Sequence, residues 1–224
     1  METRSAHYIT ARRVTGRVDT IGTHAVFGSV MGLVALTLGC TALGAAAGRD
    51  LGENAAFGCT IAGCVVLCLT GPAARRSEVL AIGALFAAGL LVGLGLAPIL
   101  AWYLAFQPET IWHAAAATGL FVSALGATGY LIRRDLSVAR RALFAALVAT
   151  LACGLAAALV LTPEAQRGYS VAGLLVFGGF TVVDFNQMRR AGVQDVVPLA
   201  AGVFLDVLNV FLYVLDLLGS DGDS

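Results

Sequence analysis

Lysine is absent from this chain of 224 residues; all fourteen basic residues are arginine. Without a lysine amine there is no retinal-type Schiff base, which removes one seven-helix class at the outset. Charge of either sign is scarce as well, at 12% of residues with a net of zero, and aromatics make up only 8%. A soluble domain carries about a quarter charged residues, so soluble, disordered and nucleic-acid-binding readings are excluded. The three histidines, His7, His24 and His113, are scattered. Of the five cysteines, Cys64 and Cys68 share a helical face but have no histidine or second pair beside them, which makes a poor metal site. No GxSxG, HExxH or phosphate-cradling loop occurs. The expectation is a protein that is not an enzyme and holds no cofactor.

What the chain has instead is apolar length. Hydrophobic residues make up 58% and the mean hydropathy is +0.86, with the charges confined to short clusters between apolar runs. Seven such runs are near the roughly 20 residues a helix needs to cross the bilayer: Thr23 to Ala47, Ala55 to Ala74, Val79 to Phe106, Ile111 to Ile132, Ala142 to Leu161, Tyr169 to Phe185 and Val196 to Leu218. The fold class is therefore all-α, a polytopic seven-helix membrane protein. Its organisation is a cytoplasmic segment 1–22, one membrane domain 23–218 and a short acidic tail 219–224. Pro98 in GLGLAPIL either kinks the third span or ends it early.

If the spans alternate, twelve arginines fall on one side: Arg4, Arg12, Arg13, Arg17, Arg75, Arg76, Arg133, Arg134, Arg140, Arg141, Arg189 and Arg190. Only Arg49 and Arg167 fall on the other. The positive-inside rule then places the N-terminus in the cytoplasm. The first apolar run, about 25 residues, exceeds the roughly 7 to 15 of a signal-peptide core and reads as a span. Trp102, Tyr103 and Trp112 cluster at the connection between spans 3 and 4, where aromatic anchors belong. Span 7 contains Asp206 and Asp216, so it either crosses fully or turns back as a re-entrant helix.

Spans 1 to 5 hold no ionisable acid or base in their interiors, which singles out Asp184 near the end of span 6 and Asp206 about ten residues into span 7. A carboxylate at such depth must be neutralised, paired or hydrated, and is a functional candidate. Span 6 runs inward and span 7 back outward, so the two lie at comparable depth and form a pair that shares one proton and titrates as a unit. The structural alternative is a hydrogen-bonded aspartate that only pins helices together. Asn209 and Tyr213 follow Asp206 on the same helical face and are candidate lining residues of a water-filled path. Arg75 and Arg76, on the same side as Asp184, are candidate latches onto the anionic pair, or ordinary anchors. Glycine pairs Gly28/Gly32 and Gly89/Gly93 indicate close helix packing.

The stretch from Val176 to Gly219, with Asp184, Asn186 and Gln187 closing span 6 and Phe204, Asp206, Asn209 and Phe211 in span 7, resembles the C-terminal signature of the transmembrane Bax inhibitor motif family, the Bax inhibitor-1 type. LVGLGLAPIL and the segment IWHAAAATGLFVSALGATGYLIRRDLS, with Asp135 at the family's basic-acidic motif, agree. Spans 1 and 2 match only in hydropathy. The resemblance implies a bundle with the last helix central and a pH-sensing pair at Asp184 and Asp206, latched by a span 2 arginine, Arg75 or Arg76. It further implies a pH-sensitive calcium leak channel in a bacterial plasma membrane, with calcium and protons as its ions and calcium held transiently at Asp184 and Asp206. The alternative implied by the family is a non-conducting regulator whose partner is a membrane-anchored protease or a stress-response component. An intramembrane aspartyl protease is disfavoured because bulky Val203, Phe204 and Leu205 stand where that enzyme has GxG before its aspartate.

Overall fold

A computed structural model describes the backbone of residues 2–160 and 162–221 and the side chains of 25–154, 162 and 164–220. Within them the chain forms seven long helices: α1 Glu2–Ala47, α2 Glu53–Ala74, α3 Glu78–Phe106, α4 Pro108–Leu131, α5 Ser137–Val160, α6 Pro163–Met188 and α7 Val196–Asp221. A single 3-10 turn, Val193–Asp195, leads into α7. Each helix contains a stretch long and apolar enough to cross a bilayer, and the chain is an integral membrane protein. The helix starts follow local rules. Glu53, Glu78, Glu109 and Glu164 place a negative charge in the first turns of α2, α3, α4 and α6, where it complements the helix dipole. Ser77 and Thr162 cap α3 and α6 through their hydroxyls, and Pro108 and Pro163 occupy first-turn positions that need no backbone N–H.

α3 packs against α1 and α2, α6 packs against α4 and α5, and α7 lies between the two groups in contact with α1, α2, α3, α4 and α6. Half or more of the spans in α6 and α7 is buried, 50% and 61%, against 6% in α5. The last helix is thus central and α5 is the peripheral one. α7 is one continuous helix of 26 residues, about 39 Å at 1.5 Å per residue. That exceeds the roughly 30 Å of hydrocarbon, so α7 is long enough to cross as one unbroken helix, without the break a re-entrant turn needs. Part of the expected acidic tail, residues 222–224, and the side chains of the expected N-terminal segment 1–22 lie outside the described residues.

Close packing of α1 on α3 depends on particular glycines. A Cβ at Gly93 would run into the Thr41 carbonyl, and one at Gly89 would meet the Thr37 backbone at 2.8 Å. The Gly89/Gly93 pair is a real helix contact, whereas Gly28 and Gly32 have open space around them. Thr37 and Thr41 satisfy their own hydroxyls by donating to the carbonyls one turn earlier, so the seam carries no polar debt. Pro98 does not end α3, which continues to Phe106. The proline removes the donor for the Leu94 carbonyl, and that carbonyl lies against Gly48, where the missing side chain lets α1 approach.

Candidate functional site

The α6/α7 seam holds the buried charge. Asp184, Asn186 and Asp206 are 2%, 1% and 3% exposed, a burial that ionisable and amide groups tolerate only when partnered. Asp184 projects from α6 onto the backbone of α7 at Gly202; a Cβ there would run into its Oδ2. Asp206 lies one turn further along α7, on the face of Gly202. The structure therefore brings the two aspartates together, and Asp206 lies within Coulombic reach of both Asp184 and Arg140. Thr181 of α6 stands beside Asp206 but gives its hydroxyl to the Phe177 carbonyl at 2.9 Å. Among the described residues Oδ2 of Asp206 has no hydrogen-bond partner.

The cation that meets the pair is Arg140, near the start of α5. Its guanidinium donates to Asp184 Oδ1 at 3.0 Å and to Gln187 Oε1 at 2.8 Å, with its side chain 47% exposed. Arg75 and Arg76 lie exposed at the end of α2 and make no ion pair among the described residues. The reason is topological: α2 packs on α3 and α7, while α5 packs on α6, which carries Asp184. Sequence reasoning missed Arg140 because it is one of twelve arginines on one side. The only local signal was its position one helical turn into α5, after the Arg133–Asp135 cluster.

Outside Arg140 lies a cavity of about 390 Å³ whose polar side is Asp135, Ser137, Arg140, Gln187, Arg190 and Asp195 and whose apolar side is Ala191, Pro198 and Leu199. Arg190 pairs with Asp135 at 2.9 Å and donates to the Arg133 carbonyl. The Asp135 carboxyl is held below the usual carboxylate range, first by the Ser137 backbone N–H and also by Arg190. It therefore stays anionic at pH values where a free aspartate begins to protonate. Asn186 ties α6 to the end of α4, donating to the Gly129 and Ile132 carbonyls at 3.2 and 2.6 Å and accepting from Leu136 N–H.

The other predicted residues sit apart from the pair. Asn209, half-buried, donates to the Leu205 carbonyl of its own helix at 2.8 Å. Tyr213 donates to the Tyr169 hydroxyl at 3.2 Å and packs its ring over Gly173. Asp216, near the far end of α7, accepts from Ser170 at 2.5 Å and Gln166 at 3.3 Å. No cluster of three metal-ligating side chains occurs among the described residues, so a cation at the pair would have only two carboxylates from the protein's acids.

The Gly202 contact gives a direct test of the seam. Gly202→Ala is expected to destabilise the protein by about 1–3 kcal/mol, because overpacking outweighs the gain in helix propensity of about 1 kcal/mol. Gly28→Ala, in open space, gains the propensity without the clash. Thermal unfolding in detergent compares them. Equal stability of the two variants would show that the carboxylate does not press on α7.

The sequence model of a family described as "Inhibitor of apoptosis-promoting Bax1" matches residues 23–223. Among similar proteins, a Vibrio cholerae uncharacterized membrane protein is 28% identical over 211 residues, covering 92% of this chain and 94% of the relative. A Streptococcus pyogenes uncharacterized membrane protein is 24% identical over 171 residues, 73% of each chain. A Helicobacter pylori uncharacterized protein is 27% identical over 143 residues, 62% of each.

Proposed function

The chain belongs to the Bax inhibitor-1 family of membrane proteins, and we propose that it is a pH-sensitive calcium leak channel gated at Asp184 and Asp206. In this reading it is not an enzyme, needs no cofactor, and sits in a bacterial plasma membrane with its N-terminus and arginine-rich end in the cytoplasm. The observation that carries the reading is buried Asp184, paired with the half-exposed Arg140, beside Asp206, whose Oδ2 has no partner among the described residues.

Two buried carboxylates share one arginine. A buried charge without a partner is costly, so the site accepts a further positive charge, either a proton on the pair or a cation. Calcium is a hard ion that takes six to eight oxygen ligands. Two carboxylates supply only part of that shell, with water and carbonyls completing it, which gives weak and transient binding of the kind conduction requires. Arg140 stands between the polar cavity and Asp184, so it occupies the place an entering cation would take. Protonation of Asp184 removes the charge that holds Arg140, which couples the latch to pH.

Calcium uptake into dye-loaded proteoliposomes tests the reading. The expected result is uptake above protein-free vesicles, with a rate that depends on pH. Absence of uptake at any pH by folded protein would overturn the channel and leave the partner-binding regulator of a membrane protease or stress response.

A further inference from the structure

Beyond the Phe27–Tyr130 ring contact at one end, α1 and α4 are not packed against each other. α1 rests on α3 and α7, and α4 chiefly on α6 and α7, which leaves a seam open to the bilayer. Two cavities lie along it. One, of about 520 Å³, takes in Thr41, Ala45, Leu100 and Phe211; the other, of about 460 Å³, takes in Phe27, Met31, Tyr130 and Phe185. Both are lined by Val122 and Ser123, so they adjoin along the seam, here called the groove. From Phe27 to Ala45 along α1 is about 27 Å at 1.5 Å per residue, close to the roughly 30 Å hydrocarbon depth. Its walls are almost wholly apolar, and in that region the bilayer offers acyl chains and no water to fill it.

The two ends of the groove differ. At the arginine-rich end, Phe27, Tyr130 and Phe185 form an edge-to-face aromatic cluster, with centroids 5.5 and 6.2 Å from Phe27. The Arg189 guanidinium lies over Tyr130, 5.9 Å from the ring centroid. It donates to the Ile132 carbonyl at 3.1 Å and forms no ion pair among the described residues. An arginine has five donors, and an aromatic belt with a cation beside it is the setting of a lipid headgroup.

We propose that the α1/α4 groove is a binding site for an anionic phospholipid of the leaflet at the arginine-rich end, with its phosphate at Arg189 and one acyl chain lying along Tyr130, Ser123 and Val122. The chain would rest on Phe185, next in sequence to Asp184, and further along on Val207, next to Asp206. Binding stands apart from conduction and is tested without it.

The test is native mass spectrometry of the full chain released from vesicles of equimolar phosphatidylglycerol and phosphatidylcholine. One phosphatidylglycerol should be retained in preference to phosphatidylcholine by about fivefold, the worth of one basic side chain near a membrane surface. Arg189→Gln should abolish the preference while a lipid is still retained. Ser123→Phe, at an exposed position shared by both cavities, should plug the groove and release lipid of either kind while leaving the fold intact. Equal retention of the two lipids by the wild type, or retention unchanged in Ser123→Phe, would overturn the site. So would a retained non-lipid molecule, the occupant whose acceptor would meet the Thr118 hydroxyl in the groove, which has no partner among the described residues.

Discussion

Replacing Arg140 by alanine is expected to raise calcium uptake about tenfold at the pH where the wild type is tightest, equivalent to about 1.4 kcal/mol of closing free energy. The guanidinium neutralises Asp184, bridges it to Gln187 and stands between Asp184 and the cavity it lines. Alanine removes all three at once. A fully buried pair that loses one partner costs about 3–5 kcal/mol, but Arg140 is half exposed and water reaches the vacated place. A loss of about 1–3 kcal/mol of stability is therefore expected, read as a lower unfolding temperature in detergent. Arg140→Lys should restore part of the closure, since it keeps the charge while losing the two-pronged geometry. Arg75→Ala and Arg76→Ala should leave both uptake and stability near wild type, because neither side chain approaches the pair. Wild-type uptake in a folded Arg140→Ala protein would show that the arginine is not the latch.

The contrast between Arg140 and the two aspartates shows what a sequence exposes. An acid inside an apolar run conflicts with its surroundings, so Asp184 and Asp206 stand out before any fold is known. An arginine in a cytoplasmic-type cluster fits the topology rule and hides among its neighbours. Its partner was decided by α5 lying on α6 and α2 lying elsewhere, a tertiary fact that hydropathy does not encode. The seven spans were legible because the bilayer imposes a length and a polarity on each of them. The helix ends were less so: α6 begins at Pro163, six residues before the apolar run starting at Tyr169, because a Thr162 cap and a first-turn proline set its start.

Glycine shows the same limit. With 27 glycines in the chain, the GxxxG spacing marks Gly28/Gly32 and Gly89/Gly93 alike, yet only the second pair touches a neighbouring helix. Gly202 belongs to no such motif and still decides how close Asp184 comes to α7. Asn186 was visible as part of a motif, but its bonds to Gly129, Ile132 and Leu136 depend on where the end of α4 lies. Asp206, Asn209 and Tyr213 follow one another at helical spacing along α7. The last two nevertheless spend their hydrogen bonds locally, Asn209 on Leu205 and Tyr213 on Tyr169, and form no continuous chain with Asp206.

The central claim is that Asp184 and Asp206 act as one titrating unit. Asp206→Asn keeps the shape of the side chain and removes one ionisable group, leaving Asp184 with an arginine of its own. A single carboxylate matched by a single cation no longer has a proton to share. Calcium uptake by proteoliposomes should therefore be measured across about pH 6 to 8, the physiological range, for the wild type and for Asp206→Asn. The account predicts a pH-dependent rate in the wild type and a flat profile in the variant. A variant that conducts with the wild-type pH profile would contradict it.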